Sequence, residues 1–179
     1  MSGRLFFVVG PSGAGKDTLL QGACTACPDL HVMQRVITRA ADAGGETHEA
    51  LSTEAFLALQ AQGELALSWQ ANGLHYGIRK DLFTRLAQGQ TVVVNGSRRA
   101  LPQMLTTCPQ AQVIWVTADA ETLNQRLLAR ARESAQEQAQ RAQHHAMPPP
   151  DGARVVLNNG SVAQGVSALL RAMNLAPLG

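Results

Sequence analysis

The stretch Gly10-Pro11-Ser12-Gly13-Ala14-Gly15-Lys16-Asp17-Thr18 directly follows the apolar run Leu5 to Val9, so a buried strand is expected to run into a glycine-rich turn and then a helix. Phosphate binding needs that order of elements. Glycines let consecutive main-chain N–H groups converge on phosphate oxygens, the helix start adds partial positive charge, and Lys16 is placed to reach the β and γ phosphates of a nucleotide. Gly10, Pro11, Ser12, Gly13, Ala14, Gly15, Lys16, Asp17 and Thr18 are therefore the expected ATP-binding residues. Lysine occurs only at 16 and 80 among fifteen basic residues, which makes a chance Gly-Lys pair less plausible.

Asp17 stands where a magnesium-binding hydroxyl is usual, and Thr18 comes one place later. Thr18, together with Asp17, is the expected Mg²⁺ ligand, directly or through water. The alternative for Asp17 is a carboxylate that only stabilises the positive end of the helix dipole. The apolar strand 91–94 ends in Asn95, where many phosphate-loop proteins carry a magnesium-orienting aspartate, so metal binding would lean on Asp17 and Thr18.

The elements that must position these groups follow from periodicity and from breakers. Helices are predicted over 17–26, 54–62 (stopped by Gly63), 81–87 (stopped by Gly89), 120–146 and 162–173. Strands are predicted at 5–9, 32–36, 65–69, 91–94, 113–117 and 154–157. Strands alternating with helices imply an α/β fold of three layers, with a parallel sheet between crossover helices. The segment Met147-Pro148-Pro149-Pro150-Asp151-Gly152 breaks a helix and reads as a rigid connector within one domain spanning 1–179.

Composition narrows the partners. A chain of 179 residues, 45% hydrophobic, suits one substantial core. A net charge of +2 with 4% aromatic residues gives little support to a nucleic-acid partner and fits a small anionic substrate. Cys24 and Cys27 form a C-x-x-C spacing without a second pair, and Cys108 stands alone, so neither a metal cluster nor a disulfide framework is expected and the reducing cytoplasm is the default location. No apolar stretch approaches the roughly 18 residues that span a bilayer. Leu5 to Val9 is also shorter than the apolar core of a signal peptide, roughly 7 to 15 residues.

The loop Gly10 to Thr18, then Thr38-Arg39, Gly45-Glu46, Gly73-x-x-Tyr76-Gly77 and an arginine-bearing helix, resembles in order and spacing the guanylate kinase family of phosphate-loop kinases over most of the chain. The resemblance implies that fold, with an acceptor-binding region at about 35–80 and a helical lid at about 124–146 that closes over ATP. It also implies that Lys16, Arg39, Arg130 and Arg141 act on the transferring group and that Arg126 and Asn158 join the nucleotide site. Arg126, Arg130 and Arg141 are spaced by 4 and 11 residues, which puts them on roughly one helical face. Arg39 matches the family's Thr-Arg pair and is the strongest acceptor-binding candidate. Arg35, Arg98 and Arg99 lie near predicted strand ends, where α/β proteins place ligands, and Tyr76 matches an acceptor-site tyrosine of the family.

Departures from the family pattern point to a different acceptor. The acidic residue that reads guanine beside a tryptophan is replaced by Leu67 or Ser68 next to Trp69, and the Asp-Tyr-aromatic segment becomes His48-Glu49-Ala50. A site without that acceptor for guanine N–H groups should reject the base by several powers of ten. The segments 37–39, 65–74, 92–98 and 157–159 together look like one offshoot of the family, whose acceptor is ribose 1,5-bisphosphate, attacked through its 1-phosphate oxygen to give 5-phosphoribosyl 1-diphosphate in phosphonate degradation. The alternatives are a guanylate or other nucleoside monophosphate kinase, a non-catalytic module of the same fold, and a sugar or gluconate-type kinase. The intact glycines and Lys16 argue against a module, and no aspartate base for a hydroxyl acceptor is nominated.

Overall fold

The structure is a computed structural model that describes residues 3–11, 13–43, 46–129 and 147–177. In chain order the elements are β1 (Arg4–Val9), α1 (Lys16–Ala26), β2 (Leu30–Val32), β3 (Arg35–Ile37), β4 (Glu49–Ala50), α2 (Thr53–Ala61), β5 (Leu65–Ala71), β6 (Leu74–Arg79), α3 (Asp81–Ala87), β7 (Thr91–Asn95), α4 (Leu101–Thr107), β8 (Gln112–Thr117), α5 (Ala120–Ala129), β9 (Arg154–Leu157) and α6 (Val162–Ala172). They fall into two compact units, Met1–Phe7 with Pro28–Gln112 and Val8–Cys27 with Val113–Gly179.

In the first unit, strands run in the order β2-β7-β1, with β1 contributing residues 4–7. β2 pairs in parallel with β7, His31 opposite Val92. Phe6, Phe7 and Val92 to Val94 are fully buried, as expected of parallel strands covered on both faces, which read as unbroken apolar runs. The strand expected over 32–36 is two strands instead. β2 ends at Val32, the Met33 N–H donates to Val93 O at 2.9 Å, exposed Gln34 carries the turn, and Arg35 opens β3 in a different sheet.

That second sheet has the order β4-β3-β6-β5. β5 and β6 form a hairpin whose two-residue loop, Asn72 and Gly73, takes φ of 52° and 73°. Two positive φ values twist a loop the way paired strands twist, which is why Asn-Gly suits it. β3 lies antiparallel to β6 and parallel to β4. Cross-strand register puts Ile37, Tyr76 and Trp69 on one face and Val36, Gly77 and Ser68 on the other. α2 covers the second face: a Cβ at Gly77 would lie 3.0 Å from the Phe56 ring, and Gln60 Nε2 donates to Ser68 Oγ at 3.0 Å. α2 is started by Ser52, whose hydroxyl accepts from the Ala55 N–H.

In the second unit the order is β1-β8-β9, with β1 contributing Val8 and Val9, and β8 pairs in parallel with β9. α1 and α6 pack closely, since a Cβ at Gly22 would come within 2.5 Å of Val166 Cγ2. Leu19, Leu169, Leu170 and Met173 are almost wholly buried there, each contributing about 1.5–3 kcal/mol by transfer from water. α6 opens on a reciprocal cap in which Ser161 accepts from the Gln164 N–H while the Gln164 side chain accepts from the Ser161 N–H. Of the helix expected over 120–146, α5 holds 120–129, and the remainder lies outside the described residues. Among the described residues, no helix is long and apolar enough to cross a membrane.

Candidate active site

The second unit carries the phosphate-binding loop. β1 delivers the chain in buried extended form and α1 begins at Lys16, so the turn between them is compelled to be tight. A Cβ at Gly10 would sit 1.8 Å from the Val116 carbonyl oxygen, so no other residue fits where the loop leaves the sheet. Gly15 is the N-cap of α1 with φ 86° and ψ 23°, a left-handed conformation that glycine adopts at little cost. It supplies no side-chain cap, so the helix opens on main-chain N–H groups, the arrangement that takes a phosphate. Lys16 Nζ donates to Gly10 O at 2.8 Å, which ties the ammonium across the mouth of the loop.

Two side chains from distant segments hold the loop's carbonyl side. Arg126, on α5, donates from Nη1 to Gly13 O (3.1 Å) and Ala14 O (3.3 Å) and from Nη2 to Asn158 O (2.7 Å). Asn158 is 6% exposed and donates from Nδ2 to Ala14 O at 2.8 Å. Carbonyls drawn away in this manner leave the N–H groups of the same peptides facing the other side of the turn, where an anion would lie. The neighbouring Asn159 accepts from the Asp119 N–H, and Asp119 in turn accepts from the Thr122 N–H at the start of α5. That main-chain bond holds the Asp119 carboxyl below the usual range. Ser12, Arg130 and Arg141 lie outside the described residues.

Asp17 and Thr18 are both exposed in the first turn of α1, beside Lys16. Their carboxylate and hydroxyl are hard oxygen donors of the type Mg²⁺ takes, and this ion usually completes its shell with water and substrate phosphates. The donor set therefore fits a magnesium ion bound together with nucleotide. Among the described residues there is no group of three or more His, Cys, Asp or Glu able to hold a metal by themselves.

The first unit carries the expected acceptor residues. Arg35 is paired with Glu46, its Nε donating to Oε2 at 3.0 Å, and its guanidinium lies over the Tyr76 ring at 5.1 Å. Tyr76 stacks on Trp69 with 5.7 Å between centroids and 5° between planes, so the antiparallel register builds a layered arginine, tyrosine and tryptophan face. Thr38 accepts from the His75 N–H at 2.9 Å, fixing the chain just before Arg39. Arg39 Nε and Trp69 Nε1 are both buried without a hydrogen-bond partner. A buried donor in that condition costs about 1–3 kcal/mol unless a ligand satisfies it, and a phosphate oxygen is suited to the arginine.

Arg98 and Arg99 follow β7 in the turn that leads to α4. Burial, and then the like charge of Arg99, pull the Arg98 guanidinium below its ordinary value, a penalty that a bound anion would relieve. Asn95, 3% exposed, ends β7. His48, which the sequence marks only as a departure from the family pattern, is 7% exposed, with one ring nitrogen 3.0 Å from Arg39 O and the other 3.1 Å from Glu46 O. Nothing in the spacing of His48 from Arg39 announces that contact, because an irregular loop makes it.

A strand, a glycine loop closed by lysine, and a helix within an α/β frame make the class plain: the molecule is a P-loop kinase. A family model described as an AAA domain matches residues 5–148. Guanylate kinase from Anaplasma phagocytophilum shares the fold, with TM-score 0.68 at 19% identity over 97% of this chain and 85% of that one. A ribose 1,5-bisphosphate phosphokinase of Chromobacterium violaceum is 45% identical over 95% of this chain and 93% of its own length. Another, of Pseudomonas fluorescens, is 42% identical over 95% and 94%. The chain belongs to the ribose 1,5-bisphosphate phosphokinase family.

Proposed function

We propose that this chain transfers the γ-phosphoryl group of ATP to the 1-phosphate oxygen of ribose 1,5-bisphosphate, releasing ADP and 5-phosphoribosyl 1-diphosphate, in the cytoplasm and in the service of phosphonate degradation. The observation that carries the reading is end-to-end similarity to relatives so named, at 45% identity over 93% of one of them. Site chemistry agrees with a sugar phosphate rather than a nucleobase acceptor. Leu67 is packed at 5% exposure, and the Ser68 hydroxyl is engaged by Gln60, so neither residue presents a carboxylate to guanine.

Transfer between two phosphates needs alignment and charge cancellation more than a general base, because a phosphate oxygen is already nucleophilic at neutral pH. Lys16 and the N–H groups of the 10–18 loop hold the β and γ phosphates of the donor. Thr18, with Asp17, holds Mg²⁺, which supplies charge neutralisation on the phosphate oxygens. Arg39 takes an acceptor phosphate through its buried Nε, Arg98 and Arg99 add positive charge, and Tyr76 lines the acceptor face with Arg35 above it. Arg126 maintains the loop through its carbonyls, while Arg130 and Arg141 close on the γ phosphate and exclude water. The test is to incubate the protein with Mg-ATP and ribose 1,5-bisphosphate and to measure ADP and 5-phosphoribosyl 1-diphosphate, which should form in equal amounts.

A further inference from the structure

We propose that His48 is a positioning residue of the acceptor site and that it works as the doubly protonated imidazolium. This rests on the acceptor reading above. Both ring nitrogens face main-chain carbonyl oxygens, Nε2 at 3.0 Å from Arg39 O and Nδ1 at 3.1 Å from Glu46 O. A carbonyl oxygen can only accept, and a neutral imidazole carries a single N–H. One tautomer would therefore leave a nitrogen lone pair against the Arg39 oxygen, and the other would leave it against the Glu46 oxygen. Only the cation donates to both, and at 7% exposure water has little room to stand in.

The two carbonyls belong to residues that carry acceptor chemistry. Arg39 presents a buried Nε without a partner, and Glu46 holds the guanidinium of Arg35 above Tyr76. By clamping residues 39 and 46 together, the imidazolium fixes the direction in which Arg39 enters the site and the place where Glu46 meets Arg35. The charged and titratable residues of its loop and of the strands of the β4-β3-β6-β5 sheet include Arg39, Asp42 and Glu46 in the loop, Arg35 on β3, Glu49 on β4, and His75 and Arg79 on β6. Glu46 is taken up by Arg35, and Glu49 by Arg79, so the arrangement adds a positive charge beside a site for a dianionic phosphate. Acceptor binding and the clamp then favour each other.

The experiment uses the full-length chain with ¹⁵N-labelled histidine, assigning the His48 ring by its loss in His48→Gln, together with steady-state kinetics of both proteins in Mg-ATP and ribose 1,5-bisphosphate. Expected are two protonated ring nitrogens for His48 at pH 7, and in His48→Gln a KM for the sugar bisphosphate raised tenfold or more with the KM for ATP within twofold. A neutral single tautomer at pH 7 overturns the proposal, as does a variant whose two KM values stay unchanged or rise together. Absence of turnover in the unaltered protein would instead remove the functional reading, and the ring spectrum then decides the state of the clamp without reference to substrate.

Discussion

Asn158 Nδ2 donates to the Ala14 carbonyl at 2.8 Å, joining positions 144 residues apart in the chain. The amide is enclosed by two glycines. A Cβ at Gly15 would fall 2.7 Å from Nδ2, and one at Gly165 would fall 2.5 Å from Oδ1. The loop turn, the end of β9 and the start of α6 are thus fitted around one side chain, so the asparagine holds the loop's shape.

Asn158→Ala should therefore weaken nucleotide binding with moderate effect. Ala14 O keeps its contact with Arg126 at 3.3 Å, so the loss belongs at the lower end of the about 1–3 kcal/mol range for a buried partner removed. We expect the Kd for ATP, measured by calorimetry, to rise roughly fivefold. Gly165→Ala should have a larger effect, since its new methyl would meet both the Asn158 amide and Leu19 Cδ2 at 2.6 Å. An unchanged Kd in both variants would show that the asparagine does not shape the loop.

Arg39→Ala should act on the acceptor alone. A charged hydrogen bond with its ionic component, about 2–3 kcal/mol, corresponds to a fall of roughly 100-fold in kcat/KM for the sugar bisphosphate. ATP affinity should stay within twofold, because the nucleotide loop belongs to other elements. Arg39→Lys should recover little, since lysine lacks the planar fork whose Nε is the buried donor.

The Glu49–Arg79 pair gives a pH signature in stability. The hydrogen bond from Arg79 holds the Glu49 carboxyl below its ordinary value. A depressed carboxyl contributes stability that is present above its unfolded-state pKa and is lost as pH falls through the folded-state value. With both side chains about a third exposed, the contribution is under about 1 kcal/mol. Glu49→Gln should lower the midpoint of urea unfolding slightly at pH 7, and the difference should shrink as pH falls below the ordinary carboxylate range.

Gly22→Ala sets two effects against each other. Alanine favours a helix over glycine by about 1 kcal/mol, whereas a Cβ 2.5 Å from Val166 Cγ2 overpacks the α1–α6 contact at about 1–3 kcal/mol. Val166 is stiff in a helix, so the clash should win and urea unfolding should show net destabilisation. The double variant with Val166→Ala should lose less than the sum of the two single changes.

Much of this arrangement was legible from local rules. The strand, glycine loop and helix of residues 4–26 follow from an apolar run meeting glycines and Lys16, and the structure starts α1 at Lys16 with Gly15 left-handed. The parallel pairing of β8 with β9 follows from the alternation of strands and helices, whereas β2, pairing in parallel with β7, is separated from it by a second sheet that alternation does not announce. The hairpin of β5 and β6 is marked by the dipeptide Asn72-Gly73 and by the alternation of Leu74, Tyr76 and Ile78 with His75, Gly77 and Arg79, a period-two pattern unlike the unbroken apolar runs of the parallel strands. α4 spans only Leu101–Thr107, too short for a helical period to show. The contacts of Arg126 with Gly13 and Ala14, and of His48 with Arg39, join segments by way of main-chain carbonyls, which every residue possesses and no side-chain pattern marks.

The measurement that bears most directly on the account is a paired assay with Mg-ATP and either ribose 1,5-bisphosphate or guanosine monophosphate, following ADP and the phosphorylated product. The account predicts 5-phosphoribosyl 1-diphosphate and ADP in a one-to-one ratio with the sugar and no guanosine diphosphate above background with the nucleotide. Phosphorylation of the nucleotide at a rate equal to or above that of the sugar would contradict it.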